Sequence, residues 1–126
     1  MLLFIAYVIV VSWLSLTPEP PEIEGAFFGW DKFQHAAAYG VFTLLAGGAF
    51  NIFFIDPKRC WRMAAVAAVT YGSFLEIAQG VFTTTRAASW NDLLATLVGA
   101  TSTYGLIMIM NRVLSKRRCN SCRVAS

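Results

Sequence analysis

Asp31, Lys32, His35, Tyr39, Glu76, Gln79, Arg86 and Asp92 are the residues best suited to chemistry in an otherwise largely apolar chain. His35 and Glu76 are candidates for an acid–base pair, which requires both groups within hydrogen-bond reach of one reacting atom. Tyr39 and Gln79 suit hydrogen bonding to a sugar or phosphate head group, and Lys32 and Arg86 are the cations available to pair with an anionic ligand. No nucleophile motif or metal cage accompanies them, so neither a metal nor a cofactor is expected. Each residue also has a plainer reading. Asp31 can cap a helix, and Asp92 can complete a capping-box-like start in Ser89-Trp90-Asn91-Asp92. Lys32 can be an interfacial anchor, and His35 with Tyr39 an interhelical hydrogen-bond pair worth ~1 kcal/mol. Convergence of these groups favours a shared ligand-binding cluster over separate structural roles.

The elements that position them are apolar runs. A hydrophobic fraction of 57%, a charged fraction of 13% and a mean hydropathy of +0.59 in 126 residues leave too little polar surface for a small soluble domain. The first run, Leu2 to Leu16, stops at Thr17-Pro18-Glu19-Pro20-Pro21 because proline breaks helices; it lacks the basic leader and small-residue cleavage site of a signal peptide. Phe33 to Ile55, Met63 to Phe82 and Leu93 to Met110 follow, with Asp56 to Arg62 read as a tight polar turn. Gly47-Gly48, and Gly99, Ala100 and Ser102, suggest close helix packing. The reading is an all-α polytopic membrane protein of four transmembrane helices over residues 1–115, followed by a basic, disordered tail at 116–126.

Within that frame the spacing of Asp31, His35 and Tyr39 by four residues places them on one helical stripe. Glu76 lies six residues, roughly 9 Å, back from Phe82, at a depth similar to that of Tyr39. A carboxylate facing lipid there costs roughly 2.5 to 3.5 kcal/mol, so Glu76 should face the bundle interior with His35 or Arg86 as partner. Burial would hold it protonated and a nearby Arg86 would hold it ionised; the residues alone leave both open.

Lys58, Arg59, Arg62, Arg112, Lys116, Arg117, Arg118 and Arg123 gather on one side, against Lys32 and Arg86 on the other. The positive-inside rule then places both termini in the cytoplasm and the polar cluster near the outer face. Cys60, Cys119 and Cys122 face the cytoplasm in that topology, where thiols stay reduced. Cys119-Asn-Ser-Cys122 has no second pair to complete a zinc site. Basic residues at the ends of apolar runs, rather than interleaved with aromatics, speak against nucleic acid as a partner.

The order Asp31-Lys32-x-x-His35-x-x-x-Tyr39, Glu76-x-x-Gln79, Arg86 and Asp92 ahead of Gly99-Ala100 resembles the VanZ-like family of bacterial membrane proteins. The resemblance covers about residues 12 to 105 and includes the Trp13-Leu14-Ser15-Leu16-Thr17-Pro18 exit from the first span. It implies a four-helix, multi-pass protein of the bacterial inner membrane, and an effect on susceptibility to teicoplanin-type glycopeptides, without naming a reaction. The family's polar residues fall on Asp31, Lys32, His35, Tyr39, Glu76, Gln79, Arg86 and Asp92. Thr96 departs from the pattern, standing where the family commonly has asparagine.

Three functions are consistent with these residues. The first is an envelope protein whose outer cluster binds a cell-wall precursor or lipid head group. The second is a membrane-embedded enzyme acting on an envelope lipid or glycan through His35 and Glu76. The third is a structural or assembly subunit in which the polar groups only hold helices together.

Overall fold

The computed structural model describes residues 1–17, 30–82 and 89–124, with side chains except at 30, 31 and 117–124. All described elements are helical: α1 (Leu2–Leu16), α2 (Trp30–Phe50), α3 (Pro57–Phe82) and α4 (Trp90–Val124). Their connections bring the end of α1, the start of α2, the end of α3 and the start of α4 to one end of the bundle. Gln79 Nε2 donates to Ser15 O at 2.7 Å there, joining α3 to the last turn of α1.

By length and composition, α3 and the Trp90–Lys116 part of α4 are long and apolar enough to cross a membrane, and α1 is a shorter apolar helix. The outward faces carry large apolar side chains on all four helices, including Leu2, Leu3, Trp13, Phe33, Phe74, Ile77, Leu94 and Ile109. So large an apolar exterior would need covering in water.

Helix limits differ from the apolar runs in physically legible ways. α2 stops at Phe50 instead of running to Ile55. Asn51 closes a turn on Gly47 O, and the Phe53 amide tightens it by bonding Phe50 O at 2.8 Å. Asp56 to Arg62, expected as a turn, is instead the start of α3. Pro57 takes the first helical position, where its missing amide costs nothing, and the Lys58 amide donates to Asp56 Oδ1 at 3.0 Å. α4 begins three residues before Leu93 because Ser89 O accepts the amides of Asp92 and Leu93. Its helical backbone continues past Lys116 to Val124.

The core is built from small and aromatic residues. Ala46, Ala64, Ala68 and Ala100 are fully buried around Tyr39 and Phe42. Phe42 stacks on Tyr71 with ring centroids 5.1 Å apart, and Phe4 meets Phe42 edge-on at 5.2 Å. α1 joins this core from the periphery: no residue of α1 is fully buried, but Tyr7 OH donates to Ala38 O at 2.8 Å and Ser12 hydrogen-bonds Tyr71.

Alanine and glycine let the backbones approach. Gly99 lies directly against the Ala36 carbonyl of α2, and Gly40 faces Gly99 and Thr103. Gly47 is covered by the Trp61 ring, as close packing requires, but Gly48 faces open space. Ser102 is likewise exposed, so of the small residues expected at contacts in α4, Gly99 and Ala100 are the ones used.

Candidate functional site

Three helices contribute ionisable groups to the end of the bundle where α2 and α4 begin. Lys32 and His35 come from α2, Glu76 from α3 and Asp92 from α4. Lys32 Nζ lies 2.9 Å from Asp92 Oδ1, and His35 Nε2 lies 3.9 Å from Glu76 Oε1. One ligand atom from each of His35, Glu76 and Asp92 lies within 4.8 Å of the others.

Glu76 is buried, at 8% exposure, and its second oxygen is spoken for. The Ser89 amide donates to Glu76 Oε2 at 3.2 Å. Ser89 immediately precedes α4, so the carboxylate sits where unsatisfied amides and the positive end of the helix dipole favour an anion. The capping-box expectation is thereby revised. In the capping-box reading, the plainer of the two for Asp92, its carboxylate reaches back to this amide; instead the amide goes to Glu76 and Asp92 turns toward Lys32. The Lys32 ammonium is the group that meets Asp92 Oδ1, which is buried and has no other hydrogen-bond partner among the described residues.

Tyr39 is one turn deeper than His35 and belongs to the packing of the bundle. Its ring and the Thr96 methyl both lie where a side chain on Gly72 would go, so this glycine admits α2 and α4 to the surface of α3. Gln79, also buried, ties down the end of α1. Thus Lys32, His35, Glu76 and Asp92 converge, while Tyr39 and Gln79 build the walls. Of the other expected site residues, Arg86 and the Asp31 side chain lie outside the described residues, as does the Arg86 partnership considered for Glu76.

Two features were not anticipated. The Ser89 amide carries no side-chain signal. Thr96, noted as a departure from a family pattern, is wholly buried, and its Oγ1 lacks a hydrogen-bond partner among the described residues. A buried hydroxyl without a partner is costly, and valine has nearly its shape. Thr96→Val is therefore expected to leave stability unchanged or raise it by up to ~1 kcal/mol, measured by thermal unfolding in detergent. A clear loss would mean that the hydroxyl makes a bond this arrangement does not contain.

Beside the cluster, a cavity of about 310 Å³ is lined by Ser73, Glu76, Ile77, Ser89, Trp90 and Leu93. Its walls are chiefly apolar, and Glu76 belongs both to it and to the polar cluster. The arrangement presents carboxylates, an imidazole and an ammonium next to a hydrocarbon-like recess. Comparison with protein-family models, curated proteins and solved structures finds no match to the chain.

Proposed function

We propose that this chain is a VanZ-like protein of the bacterial cytoplasmic membrane, with four spans and both termini inside, that binds the head group of an envelope lipid or lipid-linked cell-wall precursor. The observation that carries the reading is the sharing of Glu76 between a polar cluster and an apolar cavity. An amphiphile needs both surfaces side by side. Its hydroxyl or amine groups would donate to Glu76 and Asp92, Lys32 would meet an anionic portion, and the start of its hydrocarbon chain would enter the recess along Ile77 and Leu93.

Four spans suit the apolar exterior, although α1 at 15 residues requires local thinning of the bilayer. The clustering of basic residues supports the proposed orientation. Binding of a precursor head group at the outer face connects this reading to glycopeptide susceptibility, because such a protein changes how the envelope target is built or exposed.

The test is glycopeptide susceptibility in a sensitive host expressing the parent protein, Glu76→Gln, His35→Ala or vector, at matched membrane levels. Protection by the parent that both variants lose is the expected result. Parent cells as susceptible as vector cells, despite equal membrane abundance, would remove the resistance role. The approach of His35 to Glu76 also favours a second reading, acid–base catalysis on the bound head group. Turnover of envelope lipids by purified parent protein but not by Glu76→Gln would distinguish catalysis from binding.

A further inference from the structure

We infer that His35, Glu76 and Asp92 form a binding site for a divalent transition-metal ion of the zinc type. This goes beyond head-group binding and does not depend on it. The three residues come from three helices that only the folded bundle brings together, and their ligand atoms lie within 4.8 Å of one another. Two ligands on a tetrahedral zinc at about 2.1 Å are separated by roughly 3.4 Å, so small side-chain rotations close the site. One imidazole and two carboxylates form a borderline-hard set that suits zinc, and three protein ligands leave a fourth position open to water or a head group.

A second observation points the same way. Asp92 Oδ1 is buried without a hydrogen-bond partner among the described residues, and the group facing it is the Lys32 ammonium at 2.9 Å. The oxygen thus already faces a cation. Glu76 is anchored through Oε2 by the Ser89 amide, which leaves Oε1, on the His35 side, to coordinate. Two carboxylates against one ammonium leave the described cluster net negative when His35 is neutral, and a divalent ion would reverse that sign.

The test uses full-length protein carrying Cys119→Ser and Cys122→Ser, so that the C-x-x-C pair cannot supply a competing site. Purified in detergent and stripped with chelator, it is titrated with zinc chloride against a chromophoric chelator, and separately with cobalt(II) to read coordination from the visible spectrum. One equivalent of zinc is expected to bind, with His35→Ala and Asp92→Asn each weakening binding at least ~100-fold. Lys32→Ala removes the competing ammonium and should bind zinc at least as tightly as the parent. Failure of the folded parent to bind zinc, or binding unchanged by both ligand substitutions, would overturn the assignment whatever the behaviour of any single variant. The zinc titration and the susceptibility assay are read separately, since the first measures metal bound by purified protein and the second protection of cells.

Discussion

Gly99→Leu is expected to dismantle the α2–α4 crossing and, with it, the candidate site. A Cβ at Gly99 would stand 2.1 Å from Ala36 O, 2.8 Å from Ala36 C and 3.0 Å from its Cα. These are backbone atoms in the middle of a helix, so no side-chain rotation relieves the clash. The two helices must separate, and they form the most extensive contact in the bundle. Overpacking in a core that can adjust costs about 1–3 kcal/mol, and the rigidity of both backbones places this case at or above the upper end. Ala36 immediately follows His35, so the displacement also disturbs the position of the imidazole relative to Asp92 on α4. Gly48→Ala is the matching control. Nothing lies within 4 Å of a Cβ there, and alanine should be neutral or stabilising by about 0.5–1 kcal/mol through helix propensity. Thermal unfolding in detergent, followed by circular dichroism and gel filtration, compares the two. A Gly99→Leu protein that melts with the parent would show that α2 and α4 do not cross at this point.

The helical character was legible because lipid-like composition and proline punctuation act locally. Pro18 to Pro21 terminates the first apolar run, and α1 ends at Leu16. The differences at Ile55 and Asp56 have one origin: apolarity alone does not mark helix limits, because backbone hydrogen bonds set them. Ile52, Phe53 and Ile55 are apolar and exposed beyond the end of α2, while Lys58, Arg59 and Arg62 are charged and helical. Convergence of Lys32, His35, Glu76 and Asp92 was legible in outline because each charge in an apolar run needs a partner and the hairpins bring their ends together. The detailed pairings were not, because they depend on rotation of each helix about its axis. That rotation is fixed by contacts such as Gly99 on Ala36 and Thr96 on Gly72, between positions more than twenty residues apart.

Replacing Glu76 should separate its structural contribution from its ligand-binding one. With Glu76→Ala the Ser89 amide loses its acceptor at the start of α4, and His35 loses the carboxylate 3.9 Å away. Leaving a fully buried donor unmet costs about 1–3 kcal/mol, so the part-buried Ser89 amide should cost about 1 kcal/mol, and loss of an anion at a helix N-terminus adds about 0.3–1 kcal/mol. Glu76→Gln keeps an oxygen for the Ser89 amide and loses only the charge, so its stability loss should be no more than about 1 kcal/mol. Amide hydrogen exchange should show faster exchange at Ser89 in the alanine variant and near-parental exchange in the glutamine variant. The same glutamine protein should nonetheless fail in the susceptibility assay, because a neutral amide cannot supply the charge that a cationic or hydroxyl-bearing ligand would meet. If glutamine restores both stability and protection, Glu76 serves α4 alone and the working site must be sought elsewhere. If glutamine is as unstable as alanine, the charge itself holds α3 to α4, and the helix-terminus interaction outweighs the hydrogen bond.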